Sequence, residues 1–174
     1  MPSTGIPRKA LAYWPLAVLV VVADWITKSL AVAYLEPAHI AHPFIGTIVQ
    51  LTLTYNPGTA FGIPVGRGIL ARGALAAVVV IALIVLFSMY RKTAAGDAWL
   101  GAALGLVSGG ALGNLIDRLR SARGVVDFID VRFGAWHFWT FNVADAGVSV
   151  GAVLLAIVLA APQGIVGMFR QRRA

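Results

Sequence analysis

Four apolar runs, at about 11–33, 69–90, 98–116 and 141–161, restrict this chain to very few folds, because each is close to the length a helix needs to cross a bilayer. Within hydrocarbon a backbone must satisfy its own hydrogen bonds, and runs of this length do so as helices. With 59% of the 174 residues hydrophobic, 12% charged and a mean hydropathy of +0.84, little chain is left for a separate soluble domain. The expectation is one integral membrane domain over residues 1–174, an all-α bundle of four transmembrane helices. Two longer connections, at about 36–68 and 119–140, interrupt it.

The formal charge of +7 does not point to nucleic acid, because the cations flank apolar runs instead of forming one basic face. Arg8, Lys9, Arg91, Lys92, Arg170, Arg172 and Arg173 sit on the short flanks, against Arg67, Arg72, Arg118, Arg120, Arg123 and Arg132 in the long connections. Short flanks weigh most in the positive-inside rule, so both termini are expected in the cytoplasm, beside anionic membrane lipids, and both long connections outside. No cysteine is present, which excludes disulfides and a thiol nucleophile.

The first run carries Asp24 and Lys28, four residues apart on one helix face with the acid N-terminal, the favourable order for an ion pair. The plainer reading is a neutralising pair with Lys28 snorkelling outward, which can still position groups that react. Tyr13, Trp14 and Tyr34 are expected as interfacial aromatics, and Glu36-Pro37 as the stop. A charged pair inside the run argues against reading it as a cleaved signal peptide.

In the first long connection, Val49, Leu51, Leu53 and Tyr55 alternate with Gln50, Thr52 and Thr54, the period of a half-buried strand. Asn56-Pro57-Gly58 then turns the chain. Asn56 suits either a turn or a side chain that orients a substrate backbone. The third run spaces Gly101, Gly105, Gly109 and Gly113 by four, a smooth face for close helix packing, with Asp97 placed to cap its start. Asn114, Asp117 and Arg118 cluster at its end, where structural support is the expected role for the two charges.

Between Val125 and Asp145 lie Asp127, Asp130 and Asp145, beside an interfacial aromatic cluster of Trp136, Phe138, Trp139 and Phe141. Carboxylates at the mouth of a membrane segment are costly to desolvate and are therefore candidates for function. Two close carboxylates cannot both ionise; one keeps a proton to polarise a carbonyl while the other takes a proton from water. Asp127 and Asp145 are the candidate pair. Two plainer readings stand beside this one: Asn142 and Asp145 are spaced as a helix-capping pair, and Asp127 as a solvated loop acid. Proton- or ion-coupled transport is the functional alternative, since intramembrane acids also mark ion paths. Metal chemistry is set aside, because His39 and His42 have no acid between them and lie in a loop. A serine nucleophile is poorly served, with Ser29 pointing away from Lys28 and Ser108 beside Gly109.

Five segments in order resemble the lipoprotein signal peptidases (signal peptidase II), a bacterial family of intramembrane aspartyl peptidases. They are Asp24-Trp-Ile-Thr-Lys28, Asn56-Pro-Gly-Thr-Ala-Phe61, Gly113-Asn-Leu-Ile-Asp-Arg118, Val125-Val-Asp-Phe128 and Phe141-Asn-Val-Ala-Asp145. The resemblance implies that Asp127 and Asp145 are the catalytic dyad. It assigns Asn56, Asn114, Arg118 and Asn142 to substrate binding and to holding the dyad, with Asp24, Lys28 and Asp117 as supporting polar residues. Asp130 matches no segment and is expected as a surface acid. The family acts on lipid-modified prolipoproteins, cut before a diacylglyceryl-cysteine, and needs no metal or organic cofactor. A multi-pass protein of the inner membrane is implied, expected as a monomer, with a small extracytoplasmic β element and the site on that face.

Overall fold

The computed structural model describes residues 5–60, 63–64, 68–134 and 136–160. Ala161, Pro162, the basic tail with Arg170, Arg172 and Arg173, and also Arg67 and Phe61, lie outside the described residues. Four helices account for the apolar runs: α1 (Arg8–Tyr34), α2 (Ile69–Lys92), α3 (Ala98–Arg120) and α4 (Val143–Ala160). Each is long and apolar enough to cross a membrane. Strands β1 (Ala41–Ile45) and β2 (Val49–Asn56) follow α1, with a small hairpin of β3 (Thr59–Ala60) and β4 (Ile63–Pro64); β5 (Val125–Phe133) and β6 (Trp136–His137) precede α4.

The glycine row of α3 decides how the bundle packs. A Cβ on Gly101 would stand 2.5 Å from the carbonyl oxygen of Lys9, one on Gly105 2.5 Å from that of Tyr13, and one on Gly109 2.7 Å from that of Ala17. These separations are far inside van der Waals contact, so α1 lies directly on the α3 backbone. Small residues repeat the device on α4, where Gly147 meets Val20 and Gly151 meets Val107. Helix α3 is therefore the central helix, touching α1, α2 and α4.

The two long connections join in one antiparallel sheet of order β1-β2-β5-β6. In the β2–β5 register Thr54 opposes Asp127 and Asn56 opposes Val125, with a bulge between Leu51 and Thr54. The strand expected for 49–55 forms, but its burial does not alternate: across the bulge Thr52 is buried beside Leu53, and Leu53 packs with Val126 and Phe128 of β5 against Ala31 of α1 and Leu35 just beyond it. Burying side chains of this size stabilises by about 1.5–3 kcal/mol each, which seats the sheet on the end of the bundle.

At the opposite end Lys9 caps the last turn of α2. Its Nζ donates to the carbonyls of Tyr90 (3.1 Å), Arg91 (3.3 Å) and Thr93, while its own N–H donates to Ala95 O. A cation at a helix C-terminus satisfies orphan carbonyls and opposes the dipole. Tyr13, expected at the interface, is buried and stacks on Tyr90 with ring centroids 4.2 Å apart.

Of the helix boundaries that move, two bear on the site. Helix α3 continues to Arg120, because Asp117 finds partners across the bundle and the chain need not leave the helix to satisfy it. Helix α4 begins after Asn142, because Phe141 still pairs with Ile129 through hydrogen bonds of 2.8 and 3.0 Å.

Candidate active site

The start of α4 is a reciprocal cap. The Asp145 N–H donates to Asn142 Oδ1 at 2.9 Å, and the Asn142 N–H donates to Asp145 Oδ2 at 3.3 Å. With its oxygen committed to the helix, the fully buried Asn142 turns its amide NH2 to Asp127 Oδ1 (2.6 Å), Val126 O (3.2 Å) and Asn114 Oδ1 (3.2 Å). One side chain thus starts α4 and joins the strand acid to the helix acid. The capping and dyad readings of Asn142 and Asp145 describe the same atoms.

Asn114 completes the connection, donating from Nδ2 to Asp145 Oδ1 at 2.7 Å while its Oδ1 accepts from Lys28 Nζ at 3.0 Å. Lysine has donors only, so the contact obliges Asn114 to turn its oxygen toward Lys28 and its NH2 toward Asp145. The expectation that Lys28 snorkels outward is overturned: it is 4% exposed and also contacts Asp24 Oδ2 at 2.7 Å and Asp117 Oδ2 at 2.8 Å. Inward partners outnumber anything lipid could offer. Asp24 Oδ1 accepts the Ala144 N–H at 2.9 Å, and Asp117 Oδ2 accepts the Val126 N–H at 3.1 Å. The supporting acids therefore grip the backbone beside each member of the pair.

Asn56 takes the turn role, its Oδ1 accepting the Gly58 N–H at 3.2 Å, and its side chain also hydrogen-bonds Asp127. Arg118 donates to Asn114 O at 3.1 Å, and its charge interacts with Asp145, Asp127 and Asp117.

Asp127 is buried, and its carboxyl is pushed up to about 7 by that burial first and by the neighbouring Asp145 charge second. Hydrogen bonds from Asn142 and Asn56 and the Lys28 charge pull the other way without prevailing. Asp127 opens on a pocket of about 300 Å³, walled by Thr54 to Pro57 on one side and by His137, Trp139 and Thr140 on the other. Among the described residues no three His, Asp or Glu side chains gather as a metal site.

Asp130 is not the surface acid expected of it. It is fully buried, with Oδ2 accepting from Thr52 Oγ1 (3.0 Å) and from Arg132 Nε (3.1 Å) and Nη2 (2.8 Å), and with Oδ1 2.7 Å from His137 Nε2. Burial works to raise its carboxyl, but the hydrogen bonds from Arg132 and Thr52 hold it below the usual range. The β5–β6 pairing of Arg132 with His137 creates this cluster. Only the turn glycine, Gly134, signals that hairpin in sequence, and nothing local marks His137.

A profile of the family described as Signal peptidase (SPase) II matches residues 16–161. The lipoprotein signal peptidase of Coxiella burnetii (Dugway strain) is 40% identical over 161 residues, covering 88% of this chain and 94% of that protein. The lipoprotein signal peptidase of Paraburkholderia phytofirmans is 37% identical over 157 residues, covering 90% and 89%. A solved structure described as a bacterial membrane enzyme, determined by the in meso method at 1.9 Å, is 32% identical with a TM-score of 0.74, covering 85% of this chain and 92% of its own.

Proposed function

The chain belongs to the signal peptidase II family, and on that premise we propose that Asp127 and Asp145 are the carboxylates with which it removes signal peptides from lipid-modified prolipoproteins. The supporting observation is Asn142, whose amide reaches Asp127 at 2.6 Å while its backbone and oxygen engage Asp145. Asp127, pushed up to about 7, holds the shared proton and hydrogen-bonds the scissile carbonyl. Asp145, accepting from Asn114 and the Asn142 backbone, takes a proton from water as it adds to that carbonyl. The pair then protonates the leaving amine of the diacylglyceryl-cysteine. Asn56 and Arg118 bind the peptide beside the pair; Asp24, Lys28 and Asp117 hold it in place.

The protein is a multi-pass bacterial membrane protein. The single domain of residues 1–174 sits with both termini in the cytoplasm and the sheet and acids on the extracytoplasmic face. This orientation is supported by Lys9, Arg91 and Lys92 meeting at the end of the bundle away from the sheet. There the lipid of the substrate stays in the bilayer while its peptide reaches the pocket. The protein acts as a monomer among membrane lipids, without nucleic acid, since one chain supplies every residue of the network. Family membership leaves proton- or ion-coupled transport without support.

The test is cleavage in detergent, where no second compartment exists for transport. Purified protein should cut a synthetic lipopeptide immediately before its diacylglyceryl-cysteine; failure to do so would sink the assignment.

A further inference from the structure

The cluster around Asp130 lies outside the dyad network, yet one of its members forms part of the pocket wall. Burying a carboxylate is costly unless it is paired, and here three residues supply the pairing. Thr52 and Arg132 occupy Oδ2; Oδ1 faces His137 Nε2. The 2.7 Å contact is a close approach without the alignment of a hydrogen bond, and it turns the Nε2 edge of the ring toward Asp130.

Asp130 holds a side chain that is itself half-exposed, at 49%. Among the described residues nothing engages the other ring nitrogen, Nδ1. In the neutral imidazole that atom is an acceptor. His137, Trp139 and Thr140 line the pocket with Thr54 to Asn56 of β2 and Pro57 beyond it, and with the β5 acid Asp127. Two extended walls about one acid suit an extended peptide, which presents backbone N–H groups sideways to both.

Given that this pocket receives the prolipoprotein peptide, as proposed above, we propose that His137 is a substrate-positioning residue, fixed by the buried Asp130 so that Nδ1 accepts a backbone N–H of the bound peptide. It acts on peptide binding and leaves proton transfer to the aspartates.

Three variants separate this role from a mere latch between β5 and β6. His137→Gln keeps a donor near the Nε2 position for Asp130 but has no atom at Nδ1. His137→Asn places a polar atom near Nδ1 and cannot reach Asp130, and His137→Phe lacks both. Cleavage of a synthetic lipopeptide in detergent should show KM raised about five- to tenfold in the Gln and Phe variants, the scale of one lost hydrogen bond, with kcat held within about twofold. The Asn variant should recover part of the loss. N-methylating the backbone one residue at a time before the cysteine should reveal one position that weakens binding to the unmodified enzyme but not to His137→Phe.

A Gln variant indistinguishable from the unmodified enzyme overturns the proposal, leaving a latch. So does a loss confined to kcat, or N-methyl effects that are all additive with His137→Phe. No cleavage by the unmodified enzyme overturns the peptidase assignment and this role together, whereas cleavage with KM unchanged in all three variants overturns this role alone.

Discussion

Lys28 donates to Asn114 at 3.0 Å, and because lysine cannot accept, this contact sets which end of the Asn114 amide meets Asp145. A residue on α1 thereby orients the hydrogen bonding of a carboxylate on α4. Lys28→Met removes this control and leaves Asp24 buried without its cation. Breaking a buried pair in this way costs about 3–5 kcal/mol. Folded yield and cleavage should fall together; full yield with selective loss of turnover would move Lys28 into the reacting group.

Asp127→Asn and Asp145→Asn should each abolish cleavage while the protein remains inserted, so that lipidated precursor accumulates in cells. Neither change alters side-chain volume appreciably, and the close contact of α1 with the glycine row of α3 is made by other residues. Precursor processed at the normal rate by either variant would remove the dyad.

The carboxyl of Asp127, pushed up to about 7, predicts a descending limb in the rate. As donor to the carbonyl it must be protonated, so kcat/KM should fall as pH rises through about 7 and remain level below, until the base partner protonates. A rate that climbs steadily from pH 6 to 8.5 would contradict this assignment.

The same shift carries a stability consequence of definite sign. The folded-state value lies above the ordinary 3.8, so the contribution of Asp127 to stability is fully present below about 4 and is lost as pH rises through about 7. Asp127→Asn should accordingly be more stable than the unmodified protein at pH 8, by at most about 4 kcal/mol, and unfold at a higher temperature there, with the difference vanishing near pH 4. Thermal unfolding in detergent at the two pH values measures it.

Gly105→Ala places a methyl group 2.5 Å from the Tyr13 carbonyl oxygen and should separate α1 from α3, lowering folded yield. Gly73→Ala on α2 is its control, since nothing lies within 4 Å and the helix gains propensity. Equal behaviour of the two would mean that the glycine row does not hold the bundle.

The spans, the strand and the glycine row were legible because each is written as a local pattern, and the Asp97 cap because it concerns one turn, its Oδ1 accepting the Leu100 N–H at 3.0 Å. The candidate site was legible as residue types in five segments. Its wiring was not. Whether Lys28 points to lipid or inward depends on Asn114 and Asp117, which lie far along the chain. Asp130 reads as a surface acid until a hairpin brings His137 to it and the bulged β2 brings Thr52, joining Arg132, which lies two residues along the same strand. The start of α4 shifted for the same reason, since the pairing of Phe141 with Ile129 is tertiary.

The reciprocal cap between Asn142 and Asp145 makes the first turn of α4 and one half of the proposed pair a single object. A newly made chain whose fourth span has not yet coiled from the right residue holds two separate acids and no reagent. On that reading, seating α4 and completing the pair are one event.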